Sequence, residues 1–391
     1  MSVIAGRSIL SGHGVSLTVR EGLIQDVRDC RIPEEAPYVS PGFFDMQVNG
    51  YGGYDYNSPD LSQDDVENVV RLLASSGTTR HLPTLISNSQ ENIVRTLRTL
   101  ARALDNSPDL AAAIPGIHIE GPYISEEEGP RGVHDPRYIR DPSLEEYAEW
   151  QEASGGRIGM ITLAPERKGA LDFIAQVTRQ GVVASIGHTA GPPETILEAA
   201  AAGATCSTHL GNGSHGLIPR LRNYLWEQLA EDRLYAGVIA DGHHLPPAVV
   251  KVFARVKSPD RIILASDAAV FGGMGPGVHK WGNIDVRVFD DGHLGLADTE
   301  YLAGAGDLLD RDLAQFMKFT GTGIRDAVRL CTVNPCTLLR VGLPFSSFQK
   351  GMPANLTLFA WTPGDGRLTI LKTILMTRTL FESRTLNERM T

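Results

Sequence analysis

Two features of the sequence predict an α/β fold, a closed (β/α)₈ barrel of TIM type with a small β-sandwich domain formed by both termini. Between residue 41 and about residue 265, eight apolar runs alternate with helix-period stretches. Before and after that region the text turns strand-like, with period-two alternation broken by turn residues. Near-continuous apolar strands belong to a parallel sheet covered on both faces. Eight strand–helix units point to closure rather than to an open sheet.

Taken in order, Val15, Leu17 and Val19 alternate with polar neighbours, Glu21-Gly22 supplies a turn, and Ile24 and Val27 resume the pattern. The pattern changes after Ser40-Pro41-Gly42. The eight barrel strands are read at 43–48, 80–86, 116–120, 159–163, 182–186, 204–208, 235–240 and 261–266. Helical periods fall at 61–74, 91–104, 171–180 and 193–202, with Gly77, Gly181 and Gly203 as stops. A Gly-rich stretch at 270–299 contains Asp290-Asp291-Gly292, a hairpin signal, and reads as an insertion over the barrel mouth. Strand text returns at 355–361 and 369–377 and pairs with the N-terminal strands. The expected organisation is therefore 1–40 and 346–391 for the small domain, and 41–345 for the barrel.

The chain has 391 residues, 42% hydrophobic and 21% charged, with a formal net charge of −10. That usage is globular and leaves ample material for a core. The acidic balance argues against a nucleic-acid or anionic-membrane surface. Cys30, Cys206, Cys331 and Cys336 are too few and too irregular for a disulfide framework or a metal knuckle. The N-terminus lacks the order of a signal peptide, and no apolar run approaches ~18 residues. A soluble, cytoplasmic protein that spans no membrane is expected.

In such a barrel, active sites sit at the carboxyl ends of the strands. Those positions hold Glu120 after strand three, His188 after strand five, His209 after strand six and Asp267 after strand eight. Singly, each has a structural reading: a bonded histidine, a helix-capping aspartate, a turn at Glu120-Gly121-Pro122. Together, two imidazoles and a carboxylate suit zinc with one position open for water. Such a water ionises at a pKa of about 7, and a further carboxylate can accept its proton and pass it to a leaving group. Metal-assisted hydrolysis is the reaction class. His118 shares a face with Glu120 and reads as a deeper barrel histidine rather than a second ligand. Strand one offers Gln47-Val48-Asn49, and amides are poor zinc ligands, so one metal is expected.

These motifs resemble the amidohydrolase superfamily and, within it, the N-acetylglucosamine-6-phosphate deacetylases. The likeness covers nearly the whole chain. It includes Pro41-Gly42-Phe43-Phe44-Asp45, Asn49-Gly50-Tyr51-Gly52-Gly53, His118-Ile119-Glu120-Gly121-Pro122 and Thr162-Leu163-Ala164-Pro165-Glu166. It continues through Gly187-His188-Thr189, Thr208-His209-Leu210-Gly211-Asn212, Ile239-Ala240-Asp241-Gly242-His243-His244, Ser266-Asp267-Ala268, Leu302-Ala303-Gly304 and Thr332-Val333-Asn334-Pro335. The resemblance implies a divalent ion, zinc first, on Glu120, His188 and His209, with Asp267 as base and then acid. It implies substrate contacts at Val133, His134, Asn212, Gly213, His244, Leu302, Ala303 and Gly304, a phosphate-gripping Arg220, and a homodimer.

The chain departs from the family pattern where the sugar and its phosphate are held. Asn-Ala-Met becomes Asn212-Gly213-Ser214, Arg-Glu-Pro-Gly becomes Arg220-Leu221-Arg222-Asn223, and Leu-Ala-Gly-Ser ends in Ala305. The reaction expected is removal of the acetyl group from N-acetylglucosamine 6-phosphate. The alternative is a related N-acyl amino sugar, of another epimer or unphosphorylated, or an N-acyl amino acid. Arg220 equally reads as an exposed charge at a helix start. A non-catalytic barrel is disfavoured, since every metal and base position is filled.

Overall fold

The computed structural model describes residues 1–282, 284–297, 299, 301–342 and 347–384. Eight parallel strands follow one another in chain order around a barrel: Phe43–Val48, Thr78–Ile86, Ile117–Glu120, Ile158–Leu163, Val183–Ile186, Cys206–Ser207, Tyr235–Val238 and Ile262–Leu264. All six residues of the first strand are buried, as a strand covered on both faces requires. Among the described residues, the first strand meets the chain just beyond the last one in one parallel bridge, Val48 to Ala268, with Asn49 N donating to Ala268 O at 2.8 Å.

The helices form where period and end signals agree. Gln63–Ala74 begins at a reciprocal capping box between Ser62 and Asp65. Pro193–Ala202 has proline in its first turn and stops at Gly203, φ +122°. The small domain caps the first of these helices, Thr357 Oγ1 donating to Gly77 O at 2.6 Å and Thr373 Oγ1 to Ala74 O at 2.7 Å. Each carbonyl also accepts a backbone N–H, Ala74 O from Gly77 N and Gly77 O from Phe43 N, both at 3.1 Å, so the threonines add a second donor that ties the small domain to the helix end.

Three strands are shorter than their apolar runs imply. The sixth is Cys206–Ser207, the seventh Tyr235–Val238 and the eighth Ile262–Leu264, because the chain turns sharply into the functional residues that follow. After the third strand no α-helix forms until Leu144–Ala153. The intervening excursion is a long loop at the barrel mouth.

Both termini build the small domain. Its strands run Arg378–Glu382, Thr369–Leu375, Leu356–Ala360, Tyr38–Pro41, Ser2–Ser8, Gly14–Arg20 and Leu23–Asp29 across one sheet. The sandwich arises by curling this single sheet: Leu23 bridges back to Pro353, and Gly22 packs against Met376 and Thr377. The boundary read at 345/346 lies outside the described residues. The insertion forms a three-stranded antiparallel sheet, Gly277–Trp281, Ile284–Val288 and Leu294–Leu296. Trp281 Nε1 donates to Asp55 Oδ2 at 2.8 Å, joining it to the loop after the first strand. Among the described residues no helix is long and apolar enough to cross a membrane.

Candidate active site

Glu120 ends the third barrel strand, while His188, His209 and Asp267 lie just beyond the fifth, sixth and eighth. The last three adopt left-handed backbone conformations, with φ of +52°, +28° and +55°. A side chain in that region costs of order 1–3 kcal/mol and persists only where its surroundings impose it. Here the sharp turn swings each side chain off its strand end towards the barrel axis.

The result is a tight triangle. His188 Nε2 lies 3.3 Å and His209 Nε2 3.1 Å from Glu120 Oε1, and the two imidazole nitrogens are 3.1 Å apart. Zinc–ligand distances of roughly 2.0–2.1 Å put tetrahedral ligand edges at about 3.3–3.4 Å, so three such donors fit one small divalent ion. His188 Nδ1 donates to Pro130 O at 2.7 Å, which fixes the ring with Nε2 turned towards Glu120, where it becomes a ligand once deprotonated. Burial pushes the Glu120 carboxyl upward, but the two imidazoles outweigh it and hold the group well below the usual carboxylate range. The site therefore offers a carboxylate and two imidazoles.

His134 is a rival third donor, with a ring nitrogen within 4.8 Å of a Glu120 carboxylate oxygen and a His188 ring nitrogen. The closer spacing favours His209. Ser87 also occupies His134 Nδ1, its hydroxyl at 2.7 Å and its backbone N–H donating at 3.3 Å. An N–H can only donate, so Nδ1 accepts and the ring proton belongs on Nε2. Burial lowers the His134 pKa to about 3. The ring is a neutral donor.

Asp267 Oδ1 accepts from Asn49 Nδ2 at 2.7 Å and from Gln47 Nε2 at 3.0 Å; the same Gln47 nitrogen donates to Glu120 Oε1 at 2.8 Å. Burial, reinforced by the Glu120 charge, raises Asp267 to about 6. The Gln-x-Asn pair, read from sequence only as poor ligands, thus holds the neighbouring carboxylates. His118 lies one layer deeper, fully buried, 2.7 Å from Thr162 Oγ1, and burial lowers it to about 4.

Glu120, His188, His209 and Asp267 line one cavity of about 230 Å³ with Val133, His134, Asn212, Gly213, His244, Leu302 and Gly304. Ala303 is buried behind it, packed among Ala269, Val286 and Leu294. Arg220 is exposed on the loop beyond Gly213 and does not line the cavity. His244 Nδ1 pairs with Asp241 Oδ2 at 2.7 Å. Burial opposes the Asp241 charge, but that bond and two backbone N–H groups hold it well below the usual range. The departure at Gly213 has a steric reason. Its φ is +54°, and an alanine there would place Cβ 2.8 Å from His188 Nδ1. Sequence reasoning missed Ser87, Trp281 and Tyr301; the last two also line the cavity.

The sequence pattern of the amidohydrolase family matches residues 38–380. An N-acetylglucosamine-6-phosphate deacetylase of Danio rerio is 30% identical over 393 residues, spanning 94% of this chain and 93% of that protein. Among solved structures, a mutant N-acetyl-D-glucosamine-6-phosphate deacetylase of Mycobacterium smegmatis in complex with N-acetyl-D-glucosamine-6-phosphate superposes with a TM-score of 0.82 at 28% identity, covering 94% of each chain. The N-acetylglucosamine-6-phosphate deacetylase of Thermotoga maritima gives 0.83 at 28% identity, covering 97% of this chain and 98% of that one. Matched across its barrel and nearly end to end by such relatives, the chain belongs to the amidohydrolase family, whose members hydrolyse carbon–nitrogen bonds.

Proposed function

We propose that this chain removes the acetyl group from N-acetylglucosamine 6-phosphate, giving glucosamine 6-phosphate and acetate, with one divalent ion, zinc by donor chemistry, on Glu120, His188 and His209. The observation that carries this is the 3.1–3.3 Å spacing of three donor atoms, with the Asp267 carboxylate tethered alongside by the Gln47 amide. The similarity to N-acetylglucosamine-6-phosphate deacetylases supports the substrate.

A divalent ion on these donors supplies Lewis acidity, activating water near neutral pH and polarising the acyl oxygen. Asp267 accepts the water's proton and returns it to the departing amine nitrogen; its upward shift to about 6 suits both roles. His134 Nε2–H donates to the acyl oxygen as negative charge grows there. His244, braced by Asp241, holds the sugar with Asn212, Gly213, Val133, Leu302 and Gly304, while Ala303, expected as a contact, supports that loop from behind. Arg220 grips the phosphate from a loop whose Leu217 and Leu221 are 95% and 80% exposed. Those bare apolar side chains support a second copy of the chain covering this surface, as a homodimer. Four free cysteines support a reducing, cytoplasmic setting.

Single-turnover acetate release with the phosphosugar tests the proposal. Asp267→Asn abolishes release while retaining metal; wild-type-like release in that variant refutes it. One observation favours a second reading: among the described residues, neither lysine nor arginine lines the cavity. An unphosphorylated or differently configured N-acyl amino sugar, or an N-acyl amino acid, needs neither. Arg220→Ala separates the two, raising KM for the phosphorylated substrate alone on the first reading and affecting both forms equally on the second.

A further inference from the structure

The barrel's closing seam is unusual. The first and eighth strands share no continuous ladder; besides the Val48–Ala268 bridge, their backbone groups bond elsewhere. Towards the lower end, Phe44 N donates to Cys331 O at 2.7 Å and Leu264 N to Leu330 O at 3.1 Å, so the segment at 330–331 occupies the gap. Higher up, where Asp267 emerges, one side chain does what a ladder would do. Asp45 Oδ1 accepts from Ser266 N at 3.1 Å and from Gln47 N at 3.2 Å, and Asp45 Oδ2 accepts from Ser266 Oγ at 2.5 Å. Ser266 Oγ in turn accepts from Ala268 N at 3.1 Å.

We propose that Asp45 and Ser266 are positioning residues for Asp267, fixing from the opposite side of the seam the backbone turn that aims its carboxylate. The backbone N–H groups of both neighbours of Asp267 end on this pair, while Asp267 O accepts from Ala305 N at 2.8 Å. Between those anchors Asp267 is held at φ +55°. Asp45 and Ser266 are fully buried and do not line the cavity, so they act through Asp267 rather than on substrate. Three donors converge on its two oxygens, and these bonds favour the ionised form against burial, which raises the group to about 7. An amide would turn an NH₂ group against an N–H or O–H and leave one of them unsatisfied. Gln47, whose side chain bonds both Glu120 and Asp267, hangs from the same anchor by its backbone N–H.

The inference rests on Asp267 being the base. The test compares metal-loaded full-length Ser266→Ala, Ser266→Thr and Asp45→Asn, with Asp267→Asn alongside, for kcat, KM and metal content. A displacement of the order of 1 Å costs about 100-fold in rate, so Ser266→Ala should lower kcat by roughly 10- to 100-fold. KM and metal stoichiometry should stay within twofold, and Ser266→Thr, which keeps the hydroxyl, should recover most of the loss. Adding Ser266→Ala to Asp267→Asn should cost nothing further. A folded, metal-loaded Ser266→Ala with kcat within twofold of wild type overturns the inference, as does a loss that tracks metal content or KM alone. Should Asp45→Asn fail to fold, the two Ser266 variants decide. Activity surviving in Asp267→Asn instead refutes the base, a distinct result.

Discussion

Gln47 joins the two carboxylates at the centre of the site, so replacing it with methionine, similar in length but unable to donate, should damage two properties at once. Its Nε2 lies 2.8 Å from Glu120 Oε1 and 3.0 Å from Asp267 Oδ1, and the residue is 3% exposed. A buried hydrogen bond to a charged group contributes about 1.5–3 kcal/mol. Glu120 retains both imidazoles and Asp267 retains Asn49, so neither carboxylate is stranded and the lower end of that range applies to each. On the metal side this means a loss of affinity of roughly 10-fold, the bottom of the usual range for an outer-shell partner. On the chemical step, about 1.5–2 kcal/mol corresponds to a 10- to 30-fold fall in kcat. Acetate release at saturating substrate, measured with metal in excess, isolates the second effect; dialysis against a competing chelator followed by emission spectroscopy reads the first. Gln47→Glu should be worse than Gln47→Met, since it sets a third carboxylate against the other two. Metal retention and kcat both within twofold of wild type in Gln47→Met would show that the bridging amide is incidental.

Three further outcomes follow from local geometry. Gly129 has φ +92°, and a Cβ there would lie 2.9 Å from Ser214 O; Gly129→Ala should force apart two loops lining the cavity and raise KM several-fold, which steady-state kinetics will detect or exclude. Stripping metal with a chelator should abolish activity, and titration back should restore it at one equivalent per chain rather than two. Asp312 is fully buried, accepting from Ala240 N at 2.7 Å, and burial raises its pKa well above the ordinary value. Its folded pKa exceeds its unfolded one, so the stability it provides is complete below about pH 4 and is lost as pH rises towards the folded value, by about 1.4 kcal/mol per unit. Asp312→Asn removes that slope; urea titrations at pH 5 and 7 should show the variant gaining on wild type with pH, and a constant difference would refute the assignment.

What could be read from the residues, and what could not, divides along a physical line. The strand-end positions of Glu120, His188, His209 and Asp267 were legible because a parallel barrel writes its strands as apolar runs, and an ionisable side chain just beyond each run stands out. The ends of the strands were not. Reading the sixth to 208 and the eighth to 266 assumes extended backbone up to the functional residue, whereas His209 and Asp267 leave the ladder early in left-handed conformations. Within Asn49-Gly50-Tyr51-Gly52-Gly53, Gly52 and Gly53, at φ +63° and +92°, form a hairpin turn between Gly50–Tyr51 and Tyr54–Asp55.

Least legible were the groups that orient the histidines of the site. His188 is oriented by the carbonyl of Pro130, and the His134 tautomer is set in part by the backbone N–H of Ser87. Every residue has a carbonyl and nearly all have an N–H, so no residue type marks these partners; only the path of the loop after the third strand brings Pro130 to His188. The same reasoning bears on Arg220. Its chemistry is plain from the letter, but its reach depends on a loop of turns and bends in which Asn223 Nδ2 donates to Pro219 O at 2.7 Å and Trp226 Nε1 to Arg220 O at 3.3 Å. Both bonds fix the backbone around Arg220 and leave its guanidinium exposed. On the proposed reading, any phosphate requirement turns on how that loop lies with substrate bound, whereas the hydrolytic chemistry turns on residues already locked at the barrel mouth. That separation predicts an enzyme whose substrate preference is altered by changes at 213–225 that leave the metal centre intact.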